Sequence, residues 1–310
     1  MGPLIKTIKG KDGINYSIRA LPIGGYVQMA GEIYEDDDTK KIPKEKFMCN
    51  RPWYQRLIIL CAGVFNNFLL ALVLLFFIAL IWGAPSLKPQ IKEVEADSAA
   101  QKAGMLANDT ITKVNGKKVS TWDKAQILLL LKDKDNTYEV EVKHADGQIE
   151  QLSVTPDIIK NEDGVETKKF GIMLESKIEK GFVASIKYSF TKLISVMDQM
   201  YITVGSLITG KLSVNSLSGP VGIYSIVGES RKAGIENVIF LMAYLSINLG
   251  VINILPIPAL DGGHVLFLII EMISKKKVNE RVESIATTIF FGLLILLMIY
   301  VTIHDIIRLF

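Results

Sequence analysis

An aspartate inside an apolar run is the residue of this chain best placed to do chemistry. Asp261 lies in Asn253-Ile-Leu-Pro-Ile-Pro-Ala-Leu-Asp-Gly-Gly-His264, within a hydrophobic stretch that begins near Ile239 and runs to Met272. A carboxylate in hydrocarbon is tolerated only where it pairs, coordinates a cation or lines a polar cavity, so its placement marks a functional site. Pro256 and Pro258 each lack a backbone N–H and crowd the preceding turn, while Gly262 and Gly263 supply no side chain. The spacing predicts a helix broken at membrane depth, whose freed carbonyls and amides need protein, water or an ion as partners. Such a break suits a metal or an extended peptide. A kinked helix carrying a neutral, hydrogen-bonded aspartate is the competing reading.

Other metal-ligating residue types are scarce. The histidines are His144, His264 and His304, and no His-Glu-x-x-His pair occurs in the sequence. A zinc hydrolase takes three protein ligands, an open position for water and a general base. Asp261 is one credible ligand; His264, three residues on, shares a helical face with it, but two ligands without a base make a poor hydrolase. His144 reads as a solvated turn residue between two strands. Cys49 lies among lysines and Cys61 inside an apolar span, so neither fits a disulfide or a Cys-x-x-Cys site.

The elements that must position Asp261 follow from composition and periodicity. The chain has 310 residues, 49% of them hydrophobic and 22% charged, with a mean hydropathy of +0.32. That mixture predicts apolar spans joined to ordinary water-facing sequence. A net charge of +3 is too small to point to nucleic acid, and the basic residues cluster beside the spans. Asn15 to Gln28 reads as a strand, turn, strand hairpin around Leu-Pro-Ile-Gly-Gly. Leu57–Trp82 is about 26 residues long, more than the roughly 20 needed to cross a bilayer core.

Strand and helix signals alternate from Ile91–Val94, through a short helix near Ser98, to strands at Ile111–Val119, with Asn115-Gly116 as a hairpin turn. Thr121–Leu131 reads as an amphipathic helix, and Tyr138–Val142 and Ile149–Val154 as further strands. Phe182–Ile208 is apolar on one face but carries Lys187, Lys192 and Asp198, which suits a helix lying at the membrane surface. Ile239–Ile273 holds the second span with its break, and Ser284–Ile307 the third. Basic residues in Lys40–Arg56 and Lys275–Arg281 place both loops in the cytoplasm by the positive-inside rule, and the domain after span one outside.

Asn-x-x-Pro-x-Pro-x-Leu-Asp-Gly-Gly resembles, nearly letter for letter, the third-ligand motif of the site-2 protease family of intramembrane zinc metalloproteases, of the bacterial regulator-of-sigma-E-protease type. The resemblance implies that Asp261 ligates zinc and that Asn253 holds the substrate or the oxyanion. Leu-Pro-Ile-Gly-Gly-Tyr-Val is similar to the family's membrane-associated β element, which carries substrate binding onto Gly24, Gly25 and Tyr26. Ala62-Gly-Val-Phe-Asn-Asn-Phe68 resembles the family's Ala-Gly-Pro-x-x-Asn-Phe segment, with Val64 in place of proline, and points to Asn67; an interhelical hydrogen bond is its plainer role. Ser-Ala-Ala-x-x-Ala-Gly-Met-x-x-Asn-Asp-x-Ile-x-x-Val-Asn-Gly looks like a bacterial-protease PDZ domain, with Asn108 where glycine is usual. Leu217-Ser-Gly-Pro-Val-Gly-Ile223 is similar to a further family segment, though a simple turn also accounts for it.

The resemblance implies a polytopic α-helical membrane protein with an inserted α+β PDZ domain and a membrane-associated β-hairpin. Its parts are a cytoplasmic-side hairpin and connector (1–50), a first span (51–84), the PDZ domain (85–175), an interfacial stretch with the Gly-Pro-Val-Gly-Ile segment (176–236), a second span with the break (237–274), a cytoplasmic loop (275–284) and a third span (285–310). It further implies a bacterial cytoplasmic membrane, an extracytoplasmic PDZ groove that takes a peptide, and single-span substrates such as anti-sigma factors or signal-peptide remnants. In the family, His-Glu-x-x-His lies on a helix that precedes a Phe-Gly-Pro-x-Leu ending, which Met1-Gly-Pro-Leu4 resembles. The chain by itself is therefore expected to lack two zinc ligands and the base, and to be inactive alone. The alternative is a non-catalytic membrane peptide-binding module.

Overall fold

The computed structural model describes residues 3–10, 14–20, 47–131, 136–160, 166–175 and 177–309. Two compact units divide between Ile58 and Ile59. In the first, β1 (Leu4–Lys9) pairs antiparallel with β2 (Asn15–Arg19), Ile8 lying opposite Tyr16. The first arm of the expected hairpin is thus a strand, but it pairs with the stretch that precedes it. Its second arm, with Gly24, Gly25 and Tyr26, lies outside the described residues.

Pro52 leads into α1 (Trp53–Ile81), a position where its missing N–H costs nothing. The helix has 29 residues, about 43 Å at 1.5 Å per residue, against a hydrocarbon core of about 30 Å.

After β3 (Ala84–Pro85) and β4 (Ile91–Val94) comes α2 (Ala99–Lys102). Ser98 starts it, accepting from the Gln101 amide, and Gln101 Oε1 accepts from the Asp97 amide at 2.7 Å, a reciprocal arrangement that satisfies two otherwise orphaned donors. Then follow β5 (Thr110–Val114), β6 (Lys117–Lys118), α3 (Trp122–Leu130), β7 (Tyr138–Lys143) and β8 (Ile149–Val154). The main sheet runs β6-β5-β7-β8, all antiparallel. Asn115 and Gly116 turn β5 into β6 with φ of +48° and +74°, the pair of positive values that a tight hairpin needs. Asn108, where the resemblance expects glycine, also has a positive φ, +73°. Asparagine tolerates that conformation better than other residues with a Cβ, so the turn survives the exchange. Ile111, Val114, Tyr138, Val140, Val142 and Val154 form a dry core beneath α3.

His144 departs from the sequence reading. Its side chain is only 12% exposed, Nδ1 lies 2.7 Å from Asp109 Oδ1, and Nε2 lies 3.0 Å from Glu150 Oε2. Asp109 is buried and also accepts from the Leu106 amide at 2.8 Å. The hairpin folds back over the β5 entrance, a proximity that no local pattern announces, so a residue read as solvated becomes the clasp on a buried carboxylate.

Beyond Val154 four short strands were not anticipated: β9 (Asp157–Lys160) pairs with β10 (Glu166–Lys169), β11 (Ile172–Leu174) with β4, and β12 (Ile178–Glu179) with β3, itself unanticipated.

The rest is helical: α4 (Phe182–Ile208), α5 (Pro220–Ala233), α6 (Ile235–Ile254), α7 (Asp261–Ser274) and α8 (Glu280–Leu309). Gly-Pro-Val-Gly-Ile begins α5, with Pro220 at its first position, where a fixed φ favours helix initiation. Among the described residues, three helices, Trp53–Ile81, Ile235–Ile254 and Arg281–Arg308, are long and apolar enough to cross a membrane. The chain thus has the composition and helices of a polytopic membrane protein. A second core of Ala71, Leu75, Tyr188, Val196, Ala243, Ile247 and Val251 joins α1, α4 and α6. Two of the three charges on α4 reach other elements: Lys192 Nζ lies 2.8 Å from both carboxylate oxygens of Asp123 on α3 and sits over the Phe240 ring of α6, and Asp198 pairs with Lys124 at 3.0 Å, while Lys187 is exposed.

Candidate active site

Asp261 is the first residue of α7, and Leu260 before it is extended. The helix before the break ends at Ile254, because Pro256 and Pro258 cannot donate to it. The intervening loop folds tightly on itself, with Ile257 N donating to Leu255 O at 2.7 Å and Leu260 N to Ile257 O at 2.9 Å. The two glycines pack against this loop. A Cβ on Gly262 would lie 2.3 Å from the carbonyl oxygens of Ile254 and Leu255, and one on Gly263 would lie 2.3 Å from that of Ile257. The sequence requires Gly-Gly here for lack of room, not for an unusual φ.

The Asp261 carboxylate points across to α1. A Cβ on Gly63 would lie 3.6 Å from Asp261 Oδ2, so glycine leaves space in front of the acid. One turn along the same face of α1 stands Asn67, half-buried. The interhelical hydrogen bond at this position runs through its main chain, with Ser246 Oγ of α6 donating to Asn67 O at 2.9 Å. Next to it, Phe68 packs on Gly250, where a Cβ would lie 2.7 Å from the ring. Small residues bring α1 and α6 together, as in other membrane helix pairs. Asn253 lies in the last turn of α6, half-buried.

On the other side α8 braces the break. Thr287 Oγ1 donates to Pro258 O at 3.1 Å, and Glu283 Oε1 lies 3.1 Å from His264 Nδ1. Glu283 thereby takes one of the ring nitrogens that a His264 ligand would offer. Asn248 of α6 was missed by sequence reasoning: its Oδ1 is buried with no hydrogen-bond partner among the described residues. The signal was available, since an amide inside an apolar helix meets the same cost argument as Asp261.

The donor set tests the zinc expectation. Among the described residues, no group of three or more His, Cys, Asp or Glu side chains is placed to hold a metal ion. Asp261 offers one carboxylate where a hydrolytic zinc takes three protein ligands, so these residues do not by themselves make a zinc site. His144 is committed to Asp109 and Glu150, as described above.

Residues 1–297 match the family described as peptidase family M50. The chain belongs to that family. It is 36% identical over 279 residues to the regulator of sigma-W protease RasP of Bacillus subtilis, with 90% of this chain and 65% of that protein aligned. With the zinc metalloprotease RasP of Bacillus licheniformis the identity is 34% over 278 residues, again covering 90% of this chain and 65% of the relative. The chain thus spans just under two thirds of the length of these two relatives. A zinc metalloprotease RasP of Shouchella clausii aligns along 100% of this chain and 90% of its own length at 31% identity. Membership in M50 makes this a chain of metallopeptidase type, and the broken helix around Asp261 lies inside the matched region.

Proposed function

We propose that the chain forms the membrane-embedded body of an intramembrane zinc metalloprotease that cleaves single-span substrates, such as anti-sigma factors or signal-peptide remnants. In this reading Asp261 is the carboxylate ligand of the zinc, and Asn253 holds the scissile carbonyl or its oxyanion. Asn67 lines the substrate path beside Gly63, and Gly24, Gly25 and Tyr26 present the substrate as an extended strand. Residues 85–175 act as a PDZ domain outside the bacterial cytoplasmic membrane and take a peptide at the groove, while the loops at 40–56 and 275–281 face the cytoplasm. The observation that carries the reading is the position of Asp261: it opens a helix that restarts within an apolar run, with its carboxylate directed at a glycine of the facing span. Zinc would supply a bound water of lowered pKa and a polarised scissile carbonyl.

This reading calls for two further zinc ligands and a base, which no His-Glu-x-x-His segment among these 310 residues supplies, and the chain alone is expected not to cleave. The second reading, a non-catalytic peptide-binding module, draws on the lack of that motif in the sequence. Zinc content and cleavage of a model transmembrane peptide separate the two. The 310-residue chain is compared with a version extended upstream and with that version carrying Asp261→Ala. Zinc and cleavage in the extended form alone, both lost on Asp261→Ala, support the protease. Stoichiometric zinc and cleavage by the chain itself overturn the ligand assignment, and no cleavage by any extended form favours the module.

A further inference from the structure

Asp305, at the far end of α8, is a buried carboxylate in an apolar helix, 5% exposed, and the site above makes no use of it. Its Oδ2 accepts from the Gly222 amide at 2.8 Å. Gly222 lies in the first turn of α5, where Gly219 is the cap residue and offers no side chain of its own. The first amides of a helix lack intrahelical acceptors and carry partial positive charge, so a carboxylate delivered by another helix both satisfies them and is held by them. The two glycines admit it. A Cβ on Gly219 would lie 2.9 Å from Asp305 Oδ2, and one on Gly222 would lie 3.1 Å and 3.2 Å from the two carboxylate oxygens. Gly-Pro-Val-Gly is therefore a cradle: Pro220 begins the helix and the glycines clear room for the acid. Beside it, Tyr300 OH donates to Asn215 Oδ1 at 2.9 Å and Arg308 donates to Asn215 O.

The opposite end of α8 is the one that braces the Asp261 loop through Thr287 and Glu283. Between the two ends lie Ile289, Phe291, Leu293 and Leu296, all more than half exposed. Among the described residues of α8, those that are buried are Val301 and Asp305, both in the docked end. Apolar side chains facing lipid set no register along the helix axis, because lipid tails are as apolar as they are. A helix held only at its ends takes its position from them.

We propose that Asp305 is a positioning residue for the Asp261 site: seated between Gly219 and Gly222, it fixes where α8 stands, and so holds Thr287 and Glu283 against the Pro258 carbonyl and His264. The catalytic consequence rests on the protease reading above; the coupling between the two ends of α8 does not.

Hydrogen exchange read by mass spectrometry on the full chain in lipid nanodiscs tests it, in peptides covering 217–227 and 255–266. Asp305→Ala speeds exchange at 217–227 by about tenfold or more, the scale of losing a hydrogen bond to a charged group, and also speeds exchange at 255–266, which Asp305 does not touch. Asp305→Asn, whose amide oxygen still accepts from Gly222, restores most of the protection at both. Gly222→Ala gives the pattern of Asp305→Ala, and the double variant is no worse than either single one, because both remove one interaction. Faster exchange at 217–227 alone reduces Asp305 to a cap and overturns the proposal, as does no change in either peptide. Should Asp305→Ala fail to fold, Gly222→Ala and Asp305→Asn carry the same comparison. In the extended, cleaving form, Asp305→Ala lowers kcat with KM held, and Asp305→Asn rescues it. If exchange couples the two ends but kcat does not move, Asp305 docks α8 without positioning the reacting groups and its catalytic role is overturned, while loss of cleavage on Asp261→Ala still tests the site itself.

Discussion

Gly262 and Gly263 fill the only volume left between the loop and the start of α7, so their replacement by alanine forces backbone against backbone with no flexible side chain to give way. Gly262→Ala and Gly263→Ala are each expected to destabilise the chain by about 1–3 kcal/mol, the usual range for overpacking. Gly228→Ala, in the interior of α5 with nothing within 4 Å of the new methyl, should instead stabilise by up to about 1 kcal/mol through helix propensity. Thermal unfolding of the three variants in detergent compares the signs directly. His144 makes a second residue-scale prediction. Hydrogen bonds from its ring, first to Asp109 and then to Glu150, hold its pKa above the ordinary 6.5. A raised folded pKa contributes stability that is fully present below the unfolded value and is lost as pH rises through the folded one. Protection of the 106–109 and 144–150 amides should therefore fall as pH is raised from 6.5 upward, once intrinsic exchange rates are divided out, and His144→Gln should flatten that slope. A slope unchanged in the variant would assign the titration to another group.

α4 shows how an element acquires its role from what it touches. Its three charges suggested a helix lying on a membrane surface, yet two of them reach α3: Lys192 is 9% exposed and grips Asp123, and Asp198 pairs with Lys124. Ser195 adds a hydrogen bond to the same Asp123 carboxylate at 2.8 Å. Through Lys192, the helix beside the main sheet is tied to α4 and, by the contact with Phe240, to the span that carries Asn253. Removing one partner of a buried pair leaves the other charge unpaired, at a cost of about 3–5 kcal/mol. Lys192→Met should approach that loss, while Lys192→Met with Asp123→Leu should recover much of it, since a well-packed apolar pair replaces a desolvated ionic one. A double-mutant cycle on urea unfolding measures the coupling, and additive losses would show that the two residues act separately.

At the scale of the molecule, the proposed topology makes a prediction independent of catalysis. In intact cells, a membrane-impermeant thiol reagent should label a cysteine placed at Lys143, in the sheet domain, but not one at Lys276, between α7 and α8; the reverse pattern would invert the topology. Much of this architecture was legible in the sequence, and the parts that were share a cause. α4 begins and ends at Phe182 and Ile208, and β8 at Ile149 and Val154, as periodicity predicts, because helix and strand patterns are local and repeat over the residues that form them. The break between Ile254 and Asp261 is local too, dictated by two prolines within three residues. The short strands from β9 to β12 were missed because each is only two to four residues long, too short to show a period, and β11 and β12 take their partners from far back in the chain. Sequence by itself thus determined the apolar spans, the interruption, the strand and helix alternation and the candidate aspartate. Tertiary structure alone decided that Asp261 faces Gly63, that Asn67 meets Ser246 across 179 residues, that His144 clasps Asp109, and that Asp305 finds Gly222 across 83 residues. These are pairings between residues far apart in the chain, and a periodicity confined to one element carries no information about which residue of another element it will meet.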